Sequence, residues 1–171
     1  VWNGLFKSSD QKAVAWWHQQ LVEGNHLVAV GGSDIHQIGQ GRSFGTPTTW
    51  IHALSPGKED LLTALKQGRV SISATPTAAQ LDLIIGGAHL GETIIFSEDL
   101  KVNLLIYAAK AGDTVILYSD QGEEQRWTCP CAGKVTFVFS IQKRKFYRAE
   151  LYRTILDYKL INALTNPVYL A

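Results

Sequence analysis

The apolar residues of the first 68 positions follow helical spacing in two segments. The first apolar stripe comprises Val14, Trp17 and Leu21. We predict a helix to about residue 23, capped by Ser9 or Asp10, because short polar side chains bind the first amides of a helix. Gly24 ends it, since glycine accepts the left-handed conformation. A second helix is predicted after Ser55-Pro56, with Gly68 at its end and Leu61, Leu62 and Leu65 on its apolar face.

Short apolar runs separate these helices. Residues 27–30 form a continuous apolar run, typical of a strand buried on both faces of a parallel sheet. Residues 48–53 indicate another strand, and Val1-Trp2 resembles the middle of a third. Strands and helices that alternate along the chain favour a parallel α/β architecture for residues 1–70.

This first half is too small to close a (β/α) barrel, because three strands and two helices leave sheet edges unpaired. Either it is a small open layer, or chain upstream supplies the other strands. The chain starts within an apolar run and contains no methionine. We therefore expect that residues upstream are missing, and localisation cannot be read from the sequence.

From about Arg69 onward, apolar residues alternate with polar ones. The alternation is clearest at Leu81-x-Leu83-x-Ile85 and Val135-x-Phe137-x-Phe139. Further apolar stretches at 102–107 and 114–118 are separated by turns that contain glycine at 86–87, 112 and 122. Short strands at this spacing predict an antiparallel β-sandwich over residues 71–171. No flexible linker separates the two halves, so we expect them to pack directly.

Composition narrows the function classes. The chain has 171 residues, 46% of them hydrophobic, and a formal net charge of +1. It has no extended basic field, which disfavours nucleic acid as a partner. No apolar run approaches the roughly 18 residues that span a bilayer. The only cysteines, Cys129 and Cys131, lack the second pair that a zinc site needs, and a disulfide across one residue is strained.

The segment Gly31-Gly32-Ser33-Asp34-Ile35-His36 carries the sharpest chemical signal. It follows the predicted buried strand, and functional groups of parallel α/β folds collect at the carboxyl ends of strands. Two residues apart in an extended segment, Asp34 and His36 point to one side and can approach one divalent ion. The two glycines would let the backbone turn tightly before them. The alternative is a capping aspartate beside a hydrogen-bonded histidine.

Other polar residues could complete a site. The remaining histidines show no ligand-like spacing: His18, His26, His52 and His89. Thr46 and Thr48 lie between the Asp-x-His loop and the next strand, where their hydroxyls could bind substrate or a metal ligand. They equally fit a proline turn entering a strand. Arg42, in a glycine-rich loop, either clamps a phosphate or carboxylate or is simply solvated.

Together these segments resemble the end of a PHP (polymerase and histidinol phosphatase) domain of the CehA/McbA-type branch. The resemblance rests on Val1-Trp2-Asn3-Gly4, Val30-Gly31-Gly32-Ser33-Asp34-Ile35-His36, Gly45-Thr46-Pro47-Thr48-Thr49-Trp50-Ile51 and Ala64-Leu65-Lys66-Gln67-Gly68-Arg69-Val70. Downstream, Leu90-Gly91-Glu92-Thr93, Phe146-Tyr147-Arg148-Ala149-Glu150 and Ala163-Leu164-Thr165-Asn166-Pro167-Val168-Tyr169 resemble the β domain that follows in that branch.

The resemblance implies a distorted (β/α) barrel that holds two or three divalent ions, with Asp34 and His36 as two of the ligands. Zinc, manganese and iron all accept such mixed donors. It implies hydrolysis of a small-molecule phosphoester or related ester by metal-activated water. The family's other ligands have no counterpart here, so this chain alone should be inactive. Arg148 and Glu150 alternate on one face of a predicted strand, where they are expected to take part in a cross-strand or interdomain ion pair.

A second hypothesis is a non-catalytic binding or scaffolding sandwich that carries a degenerate PHP remnant. Three aromatic residues could then form a platform for a partner or carbohydrate: Trp127, Tyr147 and Tyr152. Under the first hypothesis, the partners are a small ester substrate and the missing N-terminal part of the same protein. An incomplete barrel would also expose strand edges, so we expect possible self-association.

Overall fold

The computed structural model describes residues 1–36 and 44–171, which are mostly β-structure with two helices. The helices are α1 (Ser8–Val22) and α2 (Lys58–Lys66). The strands are β1 (Trp2–Asn3), β2 (Gly31–Gly32), β3 (Thr48–Ile51), β4 (Val70–Ser73), β5 (Gln80–Ile85), β6 (Thr93–Ile94), β7 (Lys101–Ala109), β8 (Thr114–Ser119), β9 (Gly122–Thr128), β10 (Gly133–Ser140), β11 (Phe146–Ile155), β12 (Tyr158–Thr165) and β13 (Val168–Leu170). Neither helix in these ranges has the length and apolarity to cross a bilayer.

The largest sheet is built around β11. On one side β11 pairs antiparallel with β8, which pairs with β9. On the other side it pairs with β12 and then with β13, two strands separated by Asn166-Pro167. The sheet continues from β12 to β4 and β3, and from β13 to β6. The central strand therefore has both edges hydrogen-bonded, and its side chains alternate between two covered faces.

One face of this sheet packs on a second, three-stranded antiparallel sheet in the order β10-β7-β5. Leu81, Leu83 and Ile85 of β5 are fully buried, whereas the residues between them are half-buried. They meet Ala149 and Leu151 of β11 in an apolar core. The predicted alternation and the antiparallel sheets of the second half are confirmed.

Helix α1 covers the other face of the large sheet. Trp17 and Leu21 are buried against Phe146, Ile161 and other apolar residues of the sheet. The predicted helix is confirmed: it ends within one residue of the predicted end, with left-handed Gly24 after its last turn, and begins two or three residues earlier than predicted. The predicted cap is wrong, because Lys7 occupies the N-cap position. Asp10 lies one turn inside and accepts the Lys7 amide at 2.9 Å.

The predicted strands of the first half are confirmed only in part. Residues 27–30 are not a strand, and the pairing begins one residue later, where β2 runs parallel to β1. The strand predicted at 48–53 exists as β3, but it is antiparallel to β4, so the parallel prediction is wrong there. Thus β3 extends the large sheet through β4, whereas β1 and β2 form a separate parallel pair.

Helix α2 is shorter than predicted and packs loosely. Its N-cap is Gly57, so Ser55-Pro56 does not start it, and only Ala64 is fully buried. Its end is confirmed at Gly68, which is left-handed with a φ of 75°. Gly91 approaches this end so closely that a Cβ there would lie 1.9 Å from the Gln67 carbonyl oxygen. That contact ties α2 to the turn before β6.

Candidate functional site

Asp34 and His36 follow the carboxyl end of β2, and their side chains meet. The Nε2 atom of His36 lies 2.9 Å from Oδ1 of Asp34. Both are accessible, with side-chain exposure of 37% for Asp34 and 80% for His36. The sequence prediction that these groups lie on one side is therefore matched by their geometry. A carboxylate oxygen and an imidazole nitrogen are presented together to solvent.

The sharp change of direction before His36 occurs at Asp34 itself. Asp34 has a φ of 54°, in the left-handed region that aspartate tolerates better than most residues. Gly31 and Gly32 do not adopt a positive φ, so the predicted glycine turn is wrong. Gly31 is needed for packing instead: a Cβ there would lie 2.8 Å from Cγ of Pro47 and 3.0 Å from Cγ2 of Ile72.

Two side chains from other elements hold the strand that leads into this loop. The Thr49 hydroxyl donates to the Gly31 carbonyl at 2.9 Å and accepts the Gly31 amide at 3.0 Å. Buried Asn166 accepts the Ala29 amide at 2.8 Å and donates to the carbonyls of Ala29 and Val70 at 2.9 Å. The segment from Ala29 to Gly31 is thus fixed to the large sheet, through Thr49 of β3 and through Asn166 between β12 and β13. From the sequence, Asn166 could be named only within a segment that carries the family resemblance, because these partners lie far away along the chain.

Of the three residues predicted to bind substrate, the structure describes Thr46 and Thr48. Thr46 is half-buried and precedes Pro47 through a cis peptide bond. The Thr48 hydroxyl donates to the Gly45 carbonyl at 2.5 Å, so it supports the turn before β3. Arg42 lies outside the described residues. The structure assigns no substrate contact to these side chains, and their binding role stays a prediction.

Within residues 1–36 and 44–171, no three side chains of His, Cys, Asp or Glu are grouped closely enough to hold a metal ion. Asp34 and His36 therefore present two donors of a set that needs at least three. Both cysteines are free thiols. Burial raises the pKa of Cys129 to about 11, so its thiol stays protonated and is a poor ligand at neutral pH.

A second polar cluster lies between α1 and β11, and the sequence only partly indicated it. Arg148 Nη1 donates to Glu150 Oε1 at 2.5 Å, and each side chain is only 3% exposed. The pair lies within one strand, so the predicted cross-strand arrangement is wrong. Tyr152 donates its hydroxyl to the other Glu150 oxygen. Arg148 Nε donates to His18 Nδ1 at 3.1 Å, which joins the sheet to α1.

This contact fixes the protonation state of His18. Because guanidinium only donates, His18 Nδ1 must accept, and the ring is neutral with its proton on Nε2. Burial first, and then the nearby Arg148 charge, lower the pKa of His18 to about 4. The guanidinium also lies over two rings, at 5.0 Å from that of Trp17 and 4.8 Å from that of Tyr118. These contacts compensate for the burial of the charge.

Comparisons with protein-family models, curated proteins and solved structures found no match to this chain. The resemblance to the PHP superfamily therefore stays a prediction.

The three aromatic residues of the proposed platform do not share a surface. Trp127 packs on Phe137 and Phe139, with ring centroids 5.2 and 4.6 Å away. Tyr147 is buried in the core between the two sheets, where desolvation raises its pKa to about 12. Tyr152 lies on the opposite face of β11, beside α1. The prediction that these three residues form an aromatic platform is therefore wrong.

Proposed function

We propose that this chain contributes Asp34 and His36 to the divalent-metal site of a hydrolase that acts on phosphoesters or related esters. The observation that carries the proposal is the 2.9 Å contact between Oδ1 of Asp34 and Nε2 of His36, at the accessible carboxyl end of a parallel strand. A carboxylate oxygen and an imidazole nitrogen are donors that zinc, manganese and iron accept together, once the imidazole nitrogen releases the proton of its hydrogen bond to the carboxylate.

Asp34 and His36 fit a metal site as two of its ligands. Two ligands do not make a catalytic centre, so the proposal requires further ligands from protein beyond the described residues. The bound metals, two or three in a complete PHP-type site, would lower the pKa of water and stabilise the developing oxyanion. Asp34 and His36 would hold their ion, and Thr49 and Asn166 would keep the strand that carries them in place.

The β1–β2 pair supports the same interpretation. Among the described residues, the outer edges of these two strands are bonded to side chains rather than to further strands. The Asn3 amide donates to Asp10 Oδ1 at 3.0 Å, and Gly31 both donates to and accepts from the Thr49 hydroxyl. We infer that these strands and α1 belong to a PHP-type α/β layer that other chain completes. A further segment of the same protein is the proposed partner, and a second copy of the chain is the alternative. Thr46, Thr48 and Arg42 remain proposed contacts for the substrate.

The decisive experiment uses the complete gene product, with Asp34→Asn and His36→Gln beside the wild type. Asparagine keeps the size of the side chain and tolerates the left-handed φ, so the change tests the carboxylate charge. We expect the wild type to bind zinc, manganese or iron and to hydrolyse p-nitrophenyl phosphate or its diester. Each variant should lose at least tenfold in metal affinity and in kcat/KM.

Two matched controls separate the site from general surface effects. Asp157 is another exposed aspartate with a positive φ, of 65°, and His89 is another exposed histidine. Asp157→Asn and His89→Gln should leave metal content and hydrolysis unchanged. If Asp34→Asn and His36→Gln also leave both unchanged, the proposed site is wrong. A complete product that binds no divalent metal would instead favour the non-catalytic binding module.

A further inference from the structure

A groove of about 410 Å³ lies between α1 and the outer face of the large sheet, and neither Asp34 nor His36 lines it. Val14 and Ala15 form its helix side, and Ile161 lies on the sheet side. Tyr118, Tyr152 and His18 add three rings to the lining. The volume falls at the lower end of the range of small-molecule pockets, which suits a ligand of one ring or a little more.

The polar groups of the groove compensate one another. Arg148 and Glu150 are also part of its lining, and their charges are paired at 2.5 Å. His18 is neutral because it accepts from Arg148. Burial and the Glu150 charge raise the pKa of Tyr118 and of Tyr152, which keeps both phenols protonated. At neutral pH the groove therefore carries no net charge.

This balance selects against charged ligands. An anion or a cation that enters the groove would lose hydration. The groove would not compensate for this loss, because its charged groups, Arg148 and Glu150, are already paired with each other. An uncharged ligand avoids that penalty. A flat ring can pack edge-to-face or offset against the phenol and imidazole rings, and the aliphatic side chains complete the apolar contact. The phenol oxygens can still take part in one further hydrogen bond.

We propose that this groove binds an uncharged small molecule that carries an aromatic ring and one hydroxyl or amide group. The proposal does not depend on the metal site, and it concerns residues that no step of the proposed hydrolysis uses. Because the groove lies where α1 meets β11, an occupant would also add contacts between the helix and the large sheet.

Three probes that share a benzene ring and differ in charge test this proposal. Benzyl alcohol, benzoate and benzylammonium are titrated into the complete gene product at neutral pH, and backbone amide shifts are followed by NMR. We expect benzyl alcohol, with about eight non-hydrogen atoms, to bind with a Kd on the order of 1 mM. Benzoate and benzylammonium should bind at least tenfold more weakly. The largest shifts should fall on α1 and β11.

A blocking variant locates the site. Ala15 is exposed on α1 and lines the groove, so Ala15→Trp fills it without entering the core. We expect at least a tenfold loss of benzyl alcohol binding. Gln19→Trp is the control, because Gln19 is an exposed residue of the same helix outside the lining. Asp34→Asn should also leave the binding unchanged, which keeps this test separate from the metal site.

Three results would overturn the proposal. Equal affinity for the three probes would show that charge compensation does not select the ligand. Unchanged binding in Ala15→Trp would place the probe elsewhere. Absence of saturable shifts up to about 50 mM benzyl alcohol, well above the expected Kd, would show that the groove is not a binding site.

Discussion

Two acidic side chains of this molecule each contact a basic partner two residues away, in opposite environments. Glu150 pairs with Arg148 inside β11, where both side chains are 3% exposed. Asp34 meets His36 in the loop after β2, where their exposures are 37% and 80%. The buried pair is further fixed by His18 and Tyr152.

The difference shows that spacing alone does not define the role of such a pair. In the buried pair, each charge is tolerated only because the other is present, so the pair acts as part of the structure. In the exposed pair, water can replace either partner, so little stability depends on the contact. Exposed donors are accessible to an ion from solvent, and this accessibility is why we propose a metal-binding role for Asp34 and His36.

The largest expected effect comes from breaking the buried pair. Arg148→Met keeps an unbranched apolar side chain but leaves Glu150 buried without its partner. We expect a loss of about 3–5 kcal/mol in the free energy of unfolding, measured by urea denaturation. The hydrogen bond to His18 is lost as well, so α1 should become the least protected part of the chain in amide exchange.

The double variant Arg148→Met with Glu150→Leu is the control for this prediction. It removes both charges, and we expect it to regain most of the lost stability because no unpaired charge remains. A single variant that costs less than about 1 kcal/mol would contradict the comparison, since the buried pair would then resemble an exposed one.

The same contrast explains which parts of the fold the sequence could predict. Local patterns gave the right result where local physics decides: the stripe Val14, Trp17 and Leu21 forms the buried face of α1, and Leu81 to Ile85 alternates in β5. The prediction that β3 belongs to a parallel sheet was wrong. Its partner β4 lies beyond α2, and no local pattern encodes the relative direction of two strands.

The candidate site shows the same limit. The meeting of Asp34 and His36 could be predicted from their spacing after a strand, although the turn lies at Asp34 rather than at the glycines. The contacts of Asn166 with Ala29 and Val70 could not be predicted, because they join residues about a hundred positions or more apart. His18 and Arg148 are 130 positions apart, so the polar cluster was equally hidden.

A smaller effect is expected from pH, and it isolates the His18 contact. Its pKa is lowered from 6.5 to about 4 in the folded protein, so between these values the unfolded chain binds the extra proton. Stability should therefore fall as pH drops from about 6.5 to 4, and this contribution should level off below 4. We expect a loss on the order of 1–2 kcal/mol, reduced by solvent screening because the ring is only partly buried.

His18→Gln removes this titration and keeps an oxygen that can accept from Arg148. The charged groups that influence His18 in the wild type are Arg148, Glu150 and Asp120, and all three remain in the variant. The free energy of unfolding is measured for wild type and His18→Gln from pH 7.5 to 4. The wild-type value minus the variant value should decrease as the pH falls. Parallel curves for the two proteins would show that His18 is not held neutral by its contacts.

The smallest expected effect comes from the exposed pair. The interaction between Asp34 and His36, which Asp34→Asn and His36→Gln test, should contribute less than about 0.5 kcal/mol to the free energy of unfolding, because the pair is exposed, and asparagine at position 34 accepts the left-handed φ. Urea denaturation of metal-free protein measures this directly, and a double-mutant cycle gives the interaction energy between the two side chains. A loss above about 2 kcal/mol for either variant would mean that the pair holds the loop together, as Arg148 and Glu150 hold α1 to the sheet. The metal assignment would then lose its physical basis, since donors committed to the structure are not available to bind an ion.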